Sequence, residues 1–232
     1  YFDGVALPRT ALFGAPTEIW DISQVEILRG PQSTLQGRAS LAGAIFVRTE
    51  DPTYEWSGRA RAIYTTEEER SSFAAAIGGP IIADQVAFRL AAETSESDGF
   101  TFNPLLNEPA DPIETQSIRG KLLIEPSAIP GLEAVLSYSQ QESSDGDSFN
   151  TLGVPNPEET RELPLNTSTR FETRIDTATA VIDYEINDQW SVTSLTGWNE
   201  VDYEFISGVN RDPVDPSTQT SDQLAETIQQ EL

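Results

Sequence analysis

The chain has 232 residues, a formal net charge of −24 and a sequence pI near 4.1, and it contains no Cys, His or Met. Histidine bases, Cys or Ser–His nucleophile pairs, disulfides and thiolate or imidazole metal sites are therefore excluded within these residues. Nucleic acid is excluded as a partner because so acidic a chain lacks the Lys and Arg that neutralise phosphates. We expect no enzyme activity and no cofactor.

The sequence of residues 1–52 predicts a small mixed α/β unit. A turn signal, Asp-Gly, lies within residues 1–7, and residues 17–24 have the pattern of a single helical turn. A strand is expected over residues 25–30, because the proline that follows cannot donate to a sheet ladder, and a second strand over residues 42–50. So small a unit cannot form its own core, so it needs either further residues that are missing from this chain or a surrounding wall.

From residue 56 onward the sequence alternates with period two, which is typical of strands with chemically different faces. One face is apolar with aromatic ends, and the other is polar or charged. The apolar positions are Ala60, Ala62, Tyr64, Val86, Phe88, Leu90, Ile118, Leu122, Ile124, Leu132, Ala134, Leu136, Tyr138, Ala178, Ala180, Ile182, Tyr184 and Ile186. The stretch from residue 190 to 198 is ambiguous, since neither of its faces is clearly apolar.

The connections between these strands differ in length. Short turns alternate with long polar loops at about residues 96–112, 143–168 and 207–220. A meander with short turns on one rim and long loops on the other is the layout of outer-membrane barrels, and strands of ten residues or more suit a tilted membrane crossing. A soluble sandwich or lipocalin-like barrel would alternate in the same way with its apolar face inward, so periodicity leaves both architectures open.

The stretch VEILRGPQSTLQGRASLAGAIFVRTEDP, residues 25–52, resembles the end of the plug domain of the TonB-dependent outer-membrane receptors. Further on, IGGPIIADQVAFRLA is similar to the second and third barrel strands of that family, and ETIQQEL to a later one. The plug-motif positions are Glu26, Arg29, Gly30, Pro31, Gly37, Arg38 and Gly43. The chain starts at Tyr1 within a strand-like run and shows no signal peptide, so we expect it to be a fragment.

The resemblance implies a mainly β fold. Residues 1–52 would be the C-terminal part of the plug, and residues 53–232 the first eight or so antiparallel transmembrane strands of a barrel with about twenty-two. The three glycines of the motif would permit tight turns and close backbone approach. Glu26 and Arg29 would pair with each other or with charges of the barrel wall, and Arg38 would do the same. The alternative is that all three are solvated charges of the lumen without a structural role.

The function implied by the resemblance is TonB-energised uptake of a ferric siderophore at the outer membrane of a Gram-negative bacterium. The expected partners are the TonB complex, through a segment absent from this chain, a small-molecule ligand and outer-membrane lipid. A carbohydrate or a vitamin such as cobalamin is the alternative ligand. A soluble acidic β-sheet binding domain is the alternative from a different class of protein.

Overall fold

The structure is a computed structural model, and it describes residues 1–12, 20–30, 43–146, 160–208, 214 and 216–232. Within these residues the chain forms a 3-10 helix, Arg9–Leu12, and strands that pair only antiparallel within their sheets. The described residues include no helix long and apolar enough to cross a membrane. The strands are β1 (Ile22–Arg29), β2 (Gly43–Thr49), β3 (Ser57–Thr65), β4 (Arg70–Ile82), β5 (Val86–Ser97), β6 (Phe102–Asn103), β7 (Glu108–Pro109), β8 (Ile113–Ile124), β9 (Leu132–Asp145), β10 (Arg170–Asn187), β11 (Trp190–Gly208) and β12 (Thr218–Glu231).

Eight of these strands form one antiparallel sheet, which we call the wall. Their order is β12-β11-β10-β9-β8-β5-β4-β3, so each strand pairs with its neighbour along the chain, and the ribbon β6–β7 lies in the connection between β5 and β8. This meander puts the turns at residues 83–85, 125–131 and 188–189 on one rim, the short-turn rim. Residues 66–69 and 98–112 lie on the other, the long-loop rim, as do the strand ends next to residues 146–169 and 209–217. The predicted eight strands and the predicted segregation of turns and loops are confirmed.

The two faces of the wall are chemically opposite, as the alternation predicted. Phe73, Leu90 and Ile118 are 59%, 53% and 52% exposed, and they lie on what we call the free face. Glu93 and Lys121 are 4% and 5% exposed on the opposite, packed face. A soluble sandwich buries its apolar face, whereas a membrane barrel turns that face outward and keeps a polar interior. The arrangement is that of a partial outer-membrane barrel.

The surroundings of strand β11 explain why neither face of residues 190–198 is clearly apolar in the sequence. Trp190 and Val192 lie exposed on the free face. Within residues 190–198 the packed face carries Leu195 and Gly197, which lie beside Gly4 and Val5 of the inner segment, while Ser194 and Thr196 lie on the free face. A strand that mixes residue types on its two faces in this way shows no clean period of two.

The described residues of 1–52, which we call the inner segment, lie against the packed face. Strands β1 and β2 form a ribbon in which Arg29 is opposite Gly43, and β1 ends at Arg29, one residue before the predicted end at Gly30. The helical turn predicted over 17–24 is wrong at residues 22–24: β1 already begins at Ile22, which pairs with Thr49 in the ribbon, and this pairing overrides the local pattern. Residues 17–19 lie outside the described part.

A tight turn begins the inner segment, as the Asp-Gly signal predicted. Asp3 and Gly4 both have positive φ, of 42° and 86°. The amide of Phe2 donates to the carbonyl of Val5 at 2.8 Å, and the amide of Val5 donates back at 3.0 Å. Two successive residues with positive φ form the hairpin turn that asparagine, aspartate and glycine favour, so Asp3 is fixed where it faces the wall.

Candidate functional site

The packed face concentrates positive charge in a chain that is otherwise acidic. Five cations of this face contact the inner segment; they lie on strands β3, β5 and β8 at odd-numbered positions, and Lys121 is the only lysine of the sequence. Arg70 on β4 also lies on this face, where its Nε donates to Ser95 Oγ. The five residues are Arg59, Arg61, Arg89, Arg119 and Lys121. The inner segment meets these cations with carboxylates, carbonyl groups and aromatic rings.

Asp21, at the start of β1, is bound by two arginines of the wall. Arg59 donates to its Oδ1 from Nη2 at 2.6 Å and from Nε at 3.1 Å. Arg89 donates to Oδ2 from Nε at 2.7 Å and to Oδ1 from Nη2. Burial alone would raise the pKa of Asp21, but the hydrogen bonds and charges of Arg89 and Arg59 outweigh it, so the pKa lies below its usual range. Asp21 is therefore an ionised, fully buried anchor.

Lys121 ties together three points of the inner segment. Its Nζ donates to Asp51 Oδ1 at 2.9 Å and to the carbonyl of Thr49 at 3.2 Å, and it lies 3.4 Å from Asp3 Oδ1. The same Asp3 carboxylate accepts hydrogen bonds from the amide of Thr49 at 2.8 Å and from its hydroxyl at 2.7 Å. One buried ammonium group thus joins the first turn to the end of β2.

Aromatic residues of the inner segment lie against the remaining arginines. Arg59 and Arg61 place their guanidinium carbons 5.0 and 5.1 Å from the ring centre of Trp20. Arg119 donates to the carbonyl of Trp20 at 3.1 Å and lies 5.8 Å from the ring centre of Phe2. These distances are within the range of cation–π attraction, so Trp20 is held through both its ring and its backbone.

A second contact, between uncharged groups, joins the inner segment to β11 and β12. The amide of Ala6 donates to Gln229 Oε1 and its carbonyl accepts from Asn199 Nδ2, each at 3.1 Å. Val5 is completely buried against Gly197, where an added Cβ would lie 2.2 Å from the valine Cγ2. Side chains of β11 and β12 therefore bind the backbone of the inner segment.

A cavity of about 380 Å³ separates the ribbon β1–β2 from strands β8–β11. Carboxylates of both sides line it, together with Lys121 and Arg48. These carboxylates belong to Asp3, Glu26, Asp51, Glu133 and Asp183. Among the described residues no group of acidic side chains is arranged to hold a metal ion. The charged groups of this lining are predominantly negative, and apolar side chains such as Phe46, Val135 and Leu195 complete it.

The structure places the predicted motif residues only in part. Glu26 and Arg29 are exposed on β1 and, among the described residues, form no ion pair with each other or with the wall. Three positions apart on a strand, they lie on opposite faces and cannot meet. Gly30 and Gly43 have φ of 87° and 139°, and a Cβ at 43 would lie 2.3 Å from a backbone oxygen of the ribbon. Pro31, Gly37 and Arg38 lie outside the described residues, and a gating role for the motif stays a prediction.

The motif did not indicate which inner-segment carboxylates bind the cations of the wall. They are Asp3, Asp21 and Asp51. A sequence signal for their partners exists, because Arg59, Arg89 and Lys121 interrupt strands whose other face is apolar. A cation repeated on the polar face of neighbouring strands indicates an acidic partner, but the strands alone do not say which carboxylate it is.

Comparison with solved structures found proteins that share this fold. The ferric yersiniabactin uptake receptor of Yersinia pestis is 20% identical over 98% of this chain and 35% of its own, with a TM-score of 0.74. The ferripyoverdine receptor of the Pseudomonas aeruginosa outer membrane is 17% identical over 96% of this chain and 30% of its own, with a TM-score of 0.70. The chain has the fold of these receptors.

The alcaligin outer-membrane receptor of Bordetella pertussis also shares this receptor fold, at 16% identity over 98% of this chain and 34% of its own, with a TM-score of 0.62. The chain thus spans about a third of the length of the solved receptors that it matches. No protein-family profile matches it. The partial barrel expected from the resemblance is confirmed by these structures.

Proposed function

We propose that the chain is part of an outer-membrane receptor for the uptake of a ferric siderophore. Residues 1–52 would form the end of its plug, and residues 53–232 the first strands of its barrel. The observation that carries the proposal is a wall with an apolar outer face whose charged inner face binds a separate segment of the same chain. The fold shared with receptors named for ferric yersiniabactin, alcaligin and pyoverdine supports iron chelates as the cargo.

The membrane placement follows from the free face. Its exposed aliphatic and aromatic side chains contact lipid, and the long-loop rim faces the outside of the cell, as in outer-membrane barrels. Trp56 and Trp190 are exposed beside the short-turn rim, where an aromatic girdle meets the periplasmic interface. Lipid is therefore a structural partner of the wall.

The mechanism is binding followed by mechanical gating, with no bond chemistry. A chelate binds between the long loops and the plug, and the TonB complex, energised from the inner membrane, pulls on the plug. The pairs that Asp21 forms with Arg59 and Arg89, and the contacts of Lys121, keep the plug seated until force is applied. The force must separate these buried contacts before the plug can move.

The first test uses the full-length protein that carries this chain. Its abundance in outer-membrane fractions is measured in iron-starved and iron-replete cells, and the uptake of radiolabelled iron chelates is measured with and without a functional TonB. Induction by starvation together with TonB-dependent uptake supports the proposal. A level that ignores iron but follows the carbon source, or uptake of labelled cobalamin instead of iron, contradicts it.

A further inference from the structure

The chain passes from the inner segment to the wall through residues 50–56, which connect β2 to β3. Pro52 is buried in this connection, and Thr53 Oγ1 donates to the carbonyl of Glu55 at 3.1 Å. A pull on the inner segment is transmitted along this covalent path. The contacts that hold residues 50–56 therefore decide how far a displacement of the inner segment extends.

Tyr54 fixes the connection to the short-turn rim. Its hydroxyl donates to Glu125 Oε2 at 2.6 Å, a length typical of a charge-assisted hydrogen bond. Glu125 is held in turn, because its amide donates to the carbonyl of Gln85 at 2.7 Å. Ser127 Oγ donates to Gln85 Oε1 at 3.0 Å. Tyr54 is therefore bound to a pair of turns that are themselves bonded to each other.

The hydroxyl of Tyr54 keeps its proton. Burial, the hydrogen bond to Glu125 and the negative charges of Glu125 and Asp84 raise the pKa of Tyr54 above its usual range. The phenol is therefore protonated, and able to donate, throughout the physiological pH range.

Trp56 holds the last position before β3. Its ring lies directly on Gly79 of β4, where an added Cβ would be 2.6 Å from the ring atom Cδ2. The ring also meets Phe88 of β5 edge-on, with centroids 5.8 Å apart and an interplanar angle of 77°, an arrangement that aromatic pairs favour. Strand β3 begins at the next residue, Ser57. A glycine beneath the indole thus makes room for a contact with the two strands beyond β3.

The charged contacts of the inner segment end at Asp51, whose Oδ1 accepts from Lys121. Among the described residues, the partners of Tyr54 and Trp56 form no hydrogen bond or ion pair with Asp51 or with Asp21. The two sets of contacts are therefore separate. Those of the packed face can open while those of Tyr54 and Trp56 stay closed.

We propose that Tyr54 and Trp56 form a clamp that stays closed during transport, so that the movement of the plug ends at Pro52 and the pull does not reach β3. This inference rests on the proposed function and adds the fixed point of the gating movement. Tension that arrives at the clamp is passed to β4, β5 and the turn after β8. Several parts of the wall then share a load that would otherwise fall on the end of one strand.

The first test joins two contacts covalently in the full-length receptor. These 232 residues contain no cysteine, and any cysteine elsewhere in the receptor is replaced. In one variant, Tyr54→Cys and Glu125→Cys are joined by a short bismaleimide. In the other, Val5→Cys and Gly197→Cys form a disulfide, because the Cβ atoms of the two positions would lie 3.2 Å apart, close to the separation found in disulfides.

The measurement is TonB-dependent uptake of three radiolabelled probes, the ferric chelates of yersiniabactin, alcaligin and pyoverdine. We expect the receptor with the joined clamp to import at the wild-type rate, because the clamp does not open. The disulfide between positions 5 and 197 should abolish uptake, because the inner segment must leave the wall. A reductant should restore uptake in that variant, which shows that the variant is folded.

The second test opens the clamp with Tyr54→Phe combined with Trp56→Leu. Cells with a functional TonB should then become sensitive to a large antibiotic that the closed barrel excludes, because the pull displaces more of the chain. Cells without TonB should stay resistant, because the charged contacts of the packed face are intact. The matched control is Tyr64→Phe combined with Trp190→Leu, an exposed tyrosine and an exposed tryptophan of the wall outside the connection, and it should stay resistant in both strains.

Wild-type uptake through the joined clamp, together with sensitivity that requires TonB, supports this inference. Loss of uptake when positions 54 and 125 are joined overturns it and leaves the proposed function standing. So does an open-clamp variant that is as resistant as the control, or equally sensitive with and without TonB. If the wild-type receptor imports none of the three chelates, both proposals fall.

Discussion

Arg89 of the wall binds the carboxylate of Asp21 at two points, from Nε to Oδ2 at 2.7 Å and from Nη2 to Oδ1. Both side chains are nearly inaccessible, at 11% and 2% exposure. This parallel pairing of a guanidinium fork with a carboxylate is the strongest geometry for an ion pair. It joins residues 68 positions apart, one in the inner segment and one in β5, and it is the main charged contact between inner segment and wall.

Asp21→Asn is expected to loosen the inner segment in the full-length receptor. The amide keeps the size of the side chain but removes the charge that Arg59 and Arg89 share, and an unpaired buried charge costs about 3–5 kcal/mol. The measurement is the sensitivity of cells to a large antibiotic that enters only through an opened barrel. Glu55→Gln is the control, since Glu55 is an exposed carboxylate outside the motif. Equal sensitivity of the two variants would contradict this role for Asp21.

The same carboxylate predicts a pH dependence with a defined sign. The pKa of Asp21 is lower in the folded state than its unfolded value of about 3.9. A carboxylate of this kind stabilises the fold fully above the unfolded pKa and loses that contribution as the pH falls through the folded pKa. Protection of the β1–β2 amides against hydrogen exchange should therefore be flat between about pH 5 and 7 and fall below about pH 4. A D21N variant should lack the Asp21-dependent part of this fall, and an identical fall in both proteins would assign it to other groups.

Local sequence patterns predicted the strands of the wall but not the charged residues that join the inner segment to it. Period-two alternation predicted the wall strands β3, β5, β8, β9 and β10 because their two faces differ, and it was ambiguous at β11, where Gly197 meets the inner segment. Strands β4 and β12, and the total of about eight, were predicted from the family resemblance. The plug motif pointed to Glu26 and Arg29, yet the buried charge is on Asp21. Contacts between separate sheets depend on how those sheets dock, and no local spacing encodes that docking. The repeated cations on β3, β5 and β8 were the available signal.

Lys121→Met is expected to destabilise the inner segment far more than Arg48→Met. Both cations pair with Asp51, at 2.9 and 3.2 Å. Lys121 is buried and also binds Thr49, whereas the Arg48 side chain is 68% exposed. A surface pair contributes at most about 1 kcal/mol, while removal of a buried partner costs several times that amount. Limited proteolysis of the inner segment in the detergent-solubilised receptor compares the two, and similar cleavage rates would contradict the ranking.

Gly197→Ala tests the uncharged contact between inner segment and wall. The added Cβ would lie 2.2 Å from Cγ2 of Val5, so the two cannot coexist without a shift, and overpacking of this kind costs about 1–3 kcal/mol. Gly120→Ala is the matched control, because its Cβ would meet only the end of Leu90 at 3.4 Å on the free face. Val5→Ala should restore stability in the Gly197→Ala background, and the melting temperatures of the four proteins in the cycle measure the coupling. Additive effects would show that Val5 and Gly197 do not contact each other in the receptor.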